Sequence, residues 1–151
     1  MKSVFNVQKT IREVILKILD NYSLEQLNKI PEGFSNNIIW NAGHCLSVQQ
    51  ALIYKLSGLP TNISEEFMAK YKKGTKPEGD VSQDEVDEIK RLLLSTLKQV
   101  ESDFENGIFV NYMEYSTSIG YTLKDIEGAL DFNNYHEGLH TGVMMSIKKF
   151  V

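Results

Sequence analysis

The stretch ALDFNNYHEGLHTGVMMSI, residues 129–147, combines a helical pattern of apolar residues with two of the three histidines of the chain. Its apolar residues recur three or four positions apart, which is the pattern of an amphipathic helix. His136 and His140 lie about 40° from each other around such a helix, and both point in the direction of the apolar stripe. The sequence therefore predicts a helix that turns two imidazoles toward a protein core.

The same stretch contains the pattern His-Glu-x-x-His at residues 136–140, in which zinc metalloproteases use the histidines as ligands and the glutamate as general base. Such sites take a third ligand from further along the chain. Only eleven residues follow His140, and none of them is His, Glu, Asp or Cys. The protease interpretation is therefore excluded. Glu137 lies about 100° from His136 and is expected at the edge of the apolar stripe.

A third ligand has to come from upstream, and the only other histidine in the chain is His44. It lies in the middle of another periodic segment, and helical bundles build metal sites from inward-facing residues on separate helices. Imidazole binds zinc, nickel, copper and iron, and three neutral ligands leave coordination positions open, as in catalytic sites. The alternative is three core histidines that are satisfied by hydrogen bonds without any metal.

Four periodic segments with turn-rich breaks between them predict an all-α, four-helix bundle in one domain, residues 1–151. In order they are residues 4–29, a helix from Ser35 or Asn36 to the SGLP turn at 57–60, a helix from Asp80 or Ser82 to Gly107, and a helix from about Thr122 almost to the C-terminus. The first carries its stripe through Val7, Ile11 and Ile15. No segment has the pattern of a strand.

A long connection, LPTNISEEFMAKYKKGTKPEGD at residues 59–80, joins the second and third predicted helices. Loops of this length are uncommon inside compact domains. Two interpretations stay open: a functional lid, or a solvated crossover between two ends of the bundle.

Composition and charge exclude several classes of protein. No apolar run approaches the roughly 20 residues that a membrane span needs, and the N-terminus lacks the apolar core of a secretory signal, so we expect a soluble cytoplasmic protein. The net charge is −4 without a dense Lys/Arg cluster, which argues against a nucleic-acid partner. The single cysteine, Cys45, is about 100° from His44 on a helix and is predicted to be a small buried residue.

Two motifs carry a family resemblance: NIIWNAGH at residues 37–44, and YHEGLHTG at residues 135–142 after YTLKDIEGALDF. With them the chain resembles, over nearly its whole length, the DinB-like superfamily, also described as YfiT-like metal-dependent hydrolases. The resemblance implies an up-down-down-up bundle, frequent homodimers, and a divalent metal bound by His44, His136 and His140. Many members carry an arginine directly after the second histidine of the last helix. Here Thr141 takes that place, so the resemblance implies no role for an arginine at this position.

The function expected on this basis is that of a metal-dependent enzyme, either a hydrolase or a thiol S-transferase, with zinc or nickel as the ion and an unknown small-molecule substrate. Glu137 is the candidate catalytic residue, as proton acceptor or orienting group, and Asn133 could take the same role. The competing interpretation is a non-catalytic interaction or stress-related bundle with incidental metal binding or none.

Two further expectations concern partners. An anionic thiol would need positive charge near the metal, and the candidates by sequence are Lys55, Lys70, Lys72 and Lys73. A homodimer is expected along helix faces, because Ile39, Leu46 and Ile53 are left over on the second helix once its histidine faces inward.

Overall fold

The computed structural model describes residues 2–151, and it confirms that the chain is mostly helical. The helices are α1 Lys2–Asn21, α2 Leu24–Asn28, α3 Ile38–Ile53, α4 Glu65–Tyr71, α5 Gln83–Glu105 and α6 Ile126–Ile147, with a 3₁₀ turn at Lys55–Ser57 and two short strands, β1 Tyr115–Ser116 and β2 Thr122–Leu123. None of the described helices has both the length and the apolar character needed to cross a bilayer.

Helices α1 and α6 lie side by side and run in the same direction. The side chain of Asn134 donates to the carbonyl of Val4 at 2.9 Å, and one turn further along both helices Gln8 donates to Glu137 at 3.1 Å. Both contacts join elements that are far apart in sequence, so they define how the last helix returns to the first.

Helix α5 packs on another side of α1 and runs in the opposite direction. The rings of Phe5 and Phe104 meet edge to face at 5.8 Å, whereas Arg12, two turns along α1, donates to the carbonyl of Leu93, about three turns back along α5. Val86, Ile89, Leu93 and Val100 are fully buried on the inner face of α5.

Helix α3 is buried on nearly every side. Ile39, Leu46 and Ile53 are each 1% exposed or less. The expectation that these three residues form a dimer surface is therefore wrong: α4 packs on α3, and its Phe67 and Tyr71 share one core cluster with Ile39 and Leu46.

The prediction of one helix over residues 4–29 is wrong, because α1 ends at Asn21 and a separate helix, α2, follows it. Ser23 accepts a hydrogen bond from the backbone N–H of Gln26, and the Gln26 side chain accepts one from the N–H of Ser23. This capping box provides hydrogen-bond partners for backbone N–H groups at the first turn of α2, and it therefore favours a helix start at this position. The predicted stripe is right at Ile15, which is fully buried, and wrong at Val7, which is 49% exposed.

The other helix starts follow local caps. Asn37, and not Ser35 or Asn36, caps α3 by accepting from the N–H of Trp40 at 2.8 Å. Ser82 caps α5, which agrees with one of its two predicted starts, Asp80 or Ser82. The last helix begins at Ile126 behind Asp125, because Asp125 accepts from Gly128, whereas Thr122 lies in β2.

Two connections contain more structure than predicted. The segment at residues 59–80 includes α4, whose first turn is capped by Ser64. The expected absence of strands is also wrong, because Tyr115 pairs with Leu123 in a small antiparallel hairpin. Gly120 supplies the turn of this hairpin with a φ of +83°, which glycine adopts without strain.

Candidate metal centre

The structure brings the three histidines together at the contact between α3 and α6. One ring nitrogen from each of His44, His136 and His140 lies within 4.8 Å of the corresponding atom of the others. Helices α3 and α6 run in opposite directions, because Asn41 contacts His140 whereas His44, further along α3, contacts His136, further back along α6. The ring centroid of His44 lies 5.2 Å from that of His136 and 4.7 Å from that of His140. His44 is buried and the two α6 histidines are partly buried.

His44 is oriented by the backbone of α4. Its Nδ1 lies 2.7 Å from the carbonyl oxygen of Tyr71, and a carbonyl oxygen can only accept, so Nδ1 carries the proton. The indole of Trp40 stacks on the imidazole with centroids 4.7 Å apart and an interplanar angle of 11°. The lone pair of Nε2 is therefore free to bind a metal ion.

Gly43 makes room for this arrangement. A Cβ atom at position 43 would lie 2.5 Å from the Tyr71 ring, which is far inside van der Waals contact. The Tyr71 ring thus packs directly on the α3 backbone, and its hydroxyl donates to Glu85. Sequence reasoning missed both residues, although the glycine beside His44 in WNAGH was a local signal of close approach.

His140 is oriented by Asn41 of α3. The Asn41 amide nitrogen donates to Asn36 Oδ1 at 2.8 Å and to the carbonyl of Asn37 at 2.7 Å, which turns Oδ1 toward the imidazole. His140 Nδ1 lies 2.8 Å from this oxygen and therefore carries the proton. Its Nε2, like that of His44, is available as a ligand.

His136 differs from the other two histidines. Its Nδ1 is buried and has no hydrogen-bond partner among residues 2–151. Buried polar atoms in native proteins are nearly always paired. No protein hydrogen bond to Nδ1 within residues 2–151 therefore fixes the tautomer of this third imidazole.

Burial keeps the cluster neutral. It lowers the pKa of His136 to about 3, with the neighbouring imidazoles of His140 and His44 lowering it further. Burial also lowers the pKa of His140 to about 4, again with a contribution from His44, and lowers the pKa of His44 itself. Neutral imidazole is the form that binds a metal ion.

The donor set fits a divalent transition-metal ion. A zinc–nitrogen bond of about 2.0–2.1 Å places tetrahedral ligand nitrogens about 3.4 Å apart. The separations here are at most 4.8 Å, so small rotations of the rings would close the cluster on one ion. Three neutral nitrogen ligands suit zinc, nickel, copper or iron better than the oxygen-seeking magnesium or calcium.

Glu137 is 0% exposed, so it lies in the protein interior and not at the edge of the apolar stripe. Arg12 contacts both carboxylate oxygens, through Nη2 at 2.8 Å and Nε at 3.2 Å, and is itself 1% exposed. Gln8 and Asn133 donate to Oε1 at 3.1 and 2.9 Å. Arg12 was missed in the sequence, because the stripe of the first helix was assigned to apolar residues alone.

The side chains of Thr141 and Cys45 have structural surroundings: one bonds to its own helix and the other is fully buried. The Thr141 hydroxyl donates to the carbonyl of Glu137 at 2.7 Å, within its own helix. Cys45 is buried, as predicted, and burial raises the pKa of its thiol, with the Glu137 carboxylate raising it further. The thiol is therefore protonated and inert near neutral pH.

The four candidate lysines are all exposed to solvent, and one of them is paired with a carboxylate. Lys70 is paired with Glu85 at 2.6 Å. Lys55, Lys72 and Lys73 are exposed to solvent.

A sequence profile described as the DinB superfamily matches residues 9–144. No curated protein gives a significant sequence match. The profile covers most of the chain and includes α3 and α6, which carry the three histidines. The chain therefore belongs to the DinB superfamily.

Proposed function

We propose that this protein is a metal-dependent enzyme of the hydrolase type, in which His44, His136 and His140 bind one zinc or nickel ion. The observation that carries the proposal is the common orientation of two imidazoles. His44 and His140 each donate from Nδ1 to a fixed oxygen, so each presents Nε2 to the cluster. Such hydrogen bonds are what normally set the tautomer of a metal-binding histidine.

We further propose that the four long helices form the up-down-down-up bundle of this superfamily. The support comes from pairs of contacts: α1 and α6 run in the same direction, α5 runs opposite to α1, and α3 runs opposite to α6. In this order α3 and α6 are antiparallel neighbours, which allows a residue pair four apart on one helix to share an ion with one residue of the other.

The chemistry of such a site is electrophilic. When bound, a divalent ion supplies a Lewis acid with open coordination positions, which can polarise a substrate carbonyl or phosphoryl oxygen and acidify a water molecule. The protein holds the three imidazoles neutral by burial, and it limits the rotation of His44 through Tyr71 and of His140 through Asn41. Trp40 covers one face of His44 and excludes water there.

Glu137 is proposed as a positioning residue rather than as the proton acceptor. Both of its oxygens already accept hydrogen bonds from Arg12, and the ion pair is buried. Removal of either partner would leave a buried charge uncompensated, so these contacts are those of a group that holds its neighbours in place.

Hydrolysis is proposed before thiol S-transfer on the basis of one ion pair. An anionic thiol would need a cationic side chain beside the metal, and Lys70, one of the four candidates, is already paired with Glu85. Binding without turnover would support the non-catalytic alternative.

The test uses protein without a histidine tag, stripped of metal with a chelator. Calorimetric titration with zinc and with nickel should show one ion per chain, and either ion should raise the Tm. His44→Ala, His136→Ala and His140→Ala should each abolish the rise, whereas Tyr135→Ala, a half-exposed control on α6, should retain it. The metal-loaded protein is then assayed against chromogenic esters, amides and phosphoesters, and for transfer of a thiol to an electrophile. No binding and no Tm change would refute the metal site.

A homodimer is also proposed, on the basis of the superfamily. Large apolar residues are exposed on the hairpin segment and on α6, including Met113, Ile119, Tyr121 and Leu139. Sedimentation that shows only monomer at micromolar concentration would contradict the proposal. The cytoplasmic location and the lack of a nucleic-acid partner stay predictions.

A further inference from the structure

Several buried polar side-chain atoms, one of them on His136, take no part in the hydrogen bonds that orient His44 and His140. Gln8 Oε1, Asn133 Oδ1 and Gln49 Nε2 are buried and, like His136 Nδ1, have no hydrogen-bond partner within the described part of the chain. Gln8, Gln49 and Asn133 are each 1% exposed or less. Each of these atoms calls for a partner, since native proteins leave few buried polar atoms unpaired.

The amide groups of Gln8 and Asn133 meet at one carboxylate oxygen. Gln8 Nε2 and Asn133 Nδ2 both donate to the same atom, Glu137 Oε1, at 3.1 and 2.9 Å. Each amide oxygen is bonded to the same carbon as its nitrogen, so both oxygens lie in the surroundings of this carboxylate. His136 precedes Glu137 directly and lies three residues after Asn133, on the neighbouring turn of α6.

Gln49 lies at the same level of the bundle. Asn41 of α3 meets His140 of α6, and the two helices are antiparallel. Two turns along α3 from Asn41 lead to Gln49, and about two turns back along α6 from His140 lead to Asn133. The Gln49 side-chain oxygen accepts from Gln50 at 3.3 Å, which leaves its amide hydrogens for another partner.

We propose that these four groups bind a buried water molecule, and that Asn133 thereby acts as a positioning residue for His136. The water donates to the oxygens of Gln8 and Asn133 and accepts from Gln49 Nε2 and His136 Nδ1. Two acceptors and two donors match the four hydrogen bonds of a water molecule. The inference that this water affects metal affinity rests on the proposed function, whereas the water site itself does not.

The consequence is that each imidazole of the cluster has an oxygen acceptor at Nδ1. His44 has the carbonyl of Tyr71, His140 has the amide of Asn41, and His136 has the water. The water is held by Asn133, which is held by the carboxylate of Glu137 and, through it, by Arg12. The buried ion pair therefore orients the third imidazole, with Nε2 directed to the ion.

The first test uses the wild-type protein. A crystal structure at a resolution that shows ordered water should contain one within hydrogen-bonding distance of Asn133 Oδ1 and His136 Nδ1. Nitrogen-15 NMR of the metal-free protein at neutral pH should show His136 protonated at Nδ1. A dry site, or a proton on Nε2 of His136, would overturn the inference whether or not the protein binds metal.

The second test compares adjacent asparagines of α6. Asn133→Leu should weaken zinc binding by about 10–100-fold, which is typical for loss of a group that orients a ligand. Asn134→Leu is the matched control: Asn134 donates to Val4 and has its own unpartnered buried oxygen, but it points toward α1. Asn134→Leu should leave zinc affinity unchanged. Asn133→Ser keeps a hydroxyl that can bind the water, so it should recover part of the zinc affinity that Asn133→Leu loses.

These results separate the two proposals. If the wild type binds no zinc but shows the water and the Nδ1 proton, the metal site fails and the water site stands. If zinc binds tightly and Asn133→Leu binds it equally well, the positioning role of Asn133 is refuted. If Asn133→Leu does not fold, the crystal structure and the NMR experiment on the wild type still decide.

Discussion

Gly43→Ala should destabilise the protein and weaken metal binding, although alanine is normally the better residue in a helix. The new Cβ would lie 2.5 Å from the ring of Tyr71, whereas carbon atoms in contact are about 3.5–4.0 Å apart. The ring must therefore move by about 1 Å or more, together with the backbone that carries the acceptor of His44.

Gly138→Ala provides the reference for the magnitude. Position 138 is also inside a helix, but a Cβ there meets nothing within 4 Å. Each substitution gains about 0.8–1.0 kcal/mol from helix propensity, so this gain cancels when the two variants are compared. The remaining difference is the cost of overpacking, and Gly43→Ala should be less stable than Gly138→Ala by about 1–3 kcal/mol.

The assay is urea denaturation of both variants in metal-free form, followed by calorimetric titration with zinc. Gly43→Ala should also bind zinc about 10–100-fold more weakly, because displacement of Tyr71 removes the acceptor that orients His44. Gly138→Ala should bind zinc as the wild type does. Equal stability of the two variants, with unchanged zinc affinity in both, would refute the packing argument and the role assigned to Tyr71.

Three other outcomes are expected. The losses of metal affinity should be non-additive: once His136→Ala has removed the ion, adding His140→Ala should cost little more, and independent losses in calorimetry would count against a shared ion. Arg12→Met should destabilise the protein by about 3–5 kcal/mol in urea denaturation, because it leaves the Glu137 carboxylate buried and unpaired, and the double variant Arg12→Met/Glu137→Leu should recover much of this loss. Metal-free protein should lose stability in acid. The folded-state pKa values of His136 and His140, about 3 and 4, lie below the unfolded value of about 6.5, so the unfolded chain binds more protons between these values. The contribution of these histidines is complete above about pH 6.5 and is lost as the pH falls toward 4. A Tm that stays constant between pH 7 and pH 4.5 would contradict this assignment.

Local patterns in the sequence were sufficient for part of the fold. The periodicity of residues 86–104 predicted α5, and Ser82 was one of its two predicted starts, because caps and amphipathic stripes depend on residues within a few positions of one another. The break before α2 was missed, although Ser23 and Gln26 have the spacing of a capping box. The hairpin at Tyr115–Ser116 and Thr122–Leu123 was missed because strands of two residues carry too short a pattern to detect.

The sequence by itself determined which residues the candidate site contains. The chain has three histidines, two of them four apart on a helix, and this spacing alone places them on one face. It did not determine their partners. The acceptor of His44 is a backbone carbonyl 27 residues away, the partner of His140 is 99 residues away, and the cation beside Glu137 is 125 residues away. Only the tertiary structure decided these contacts, because a hydrogen bond over such separations depends on how whole helices pack and on where each side chain then points.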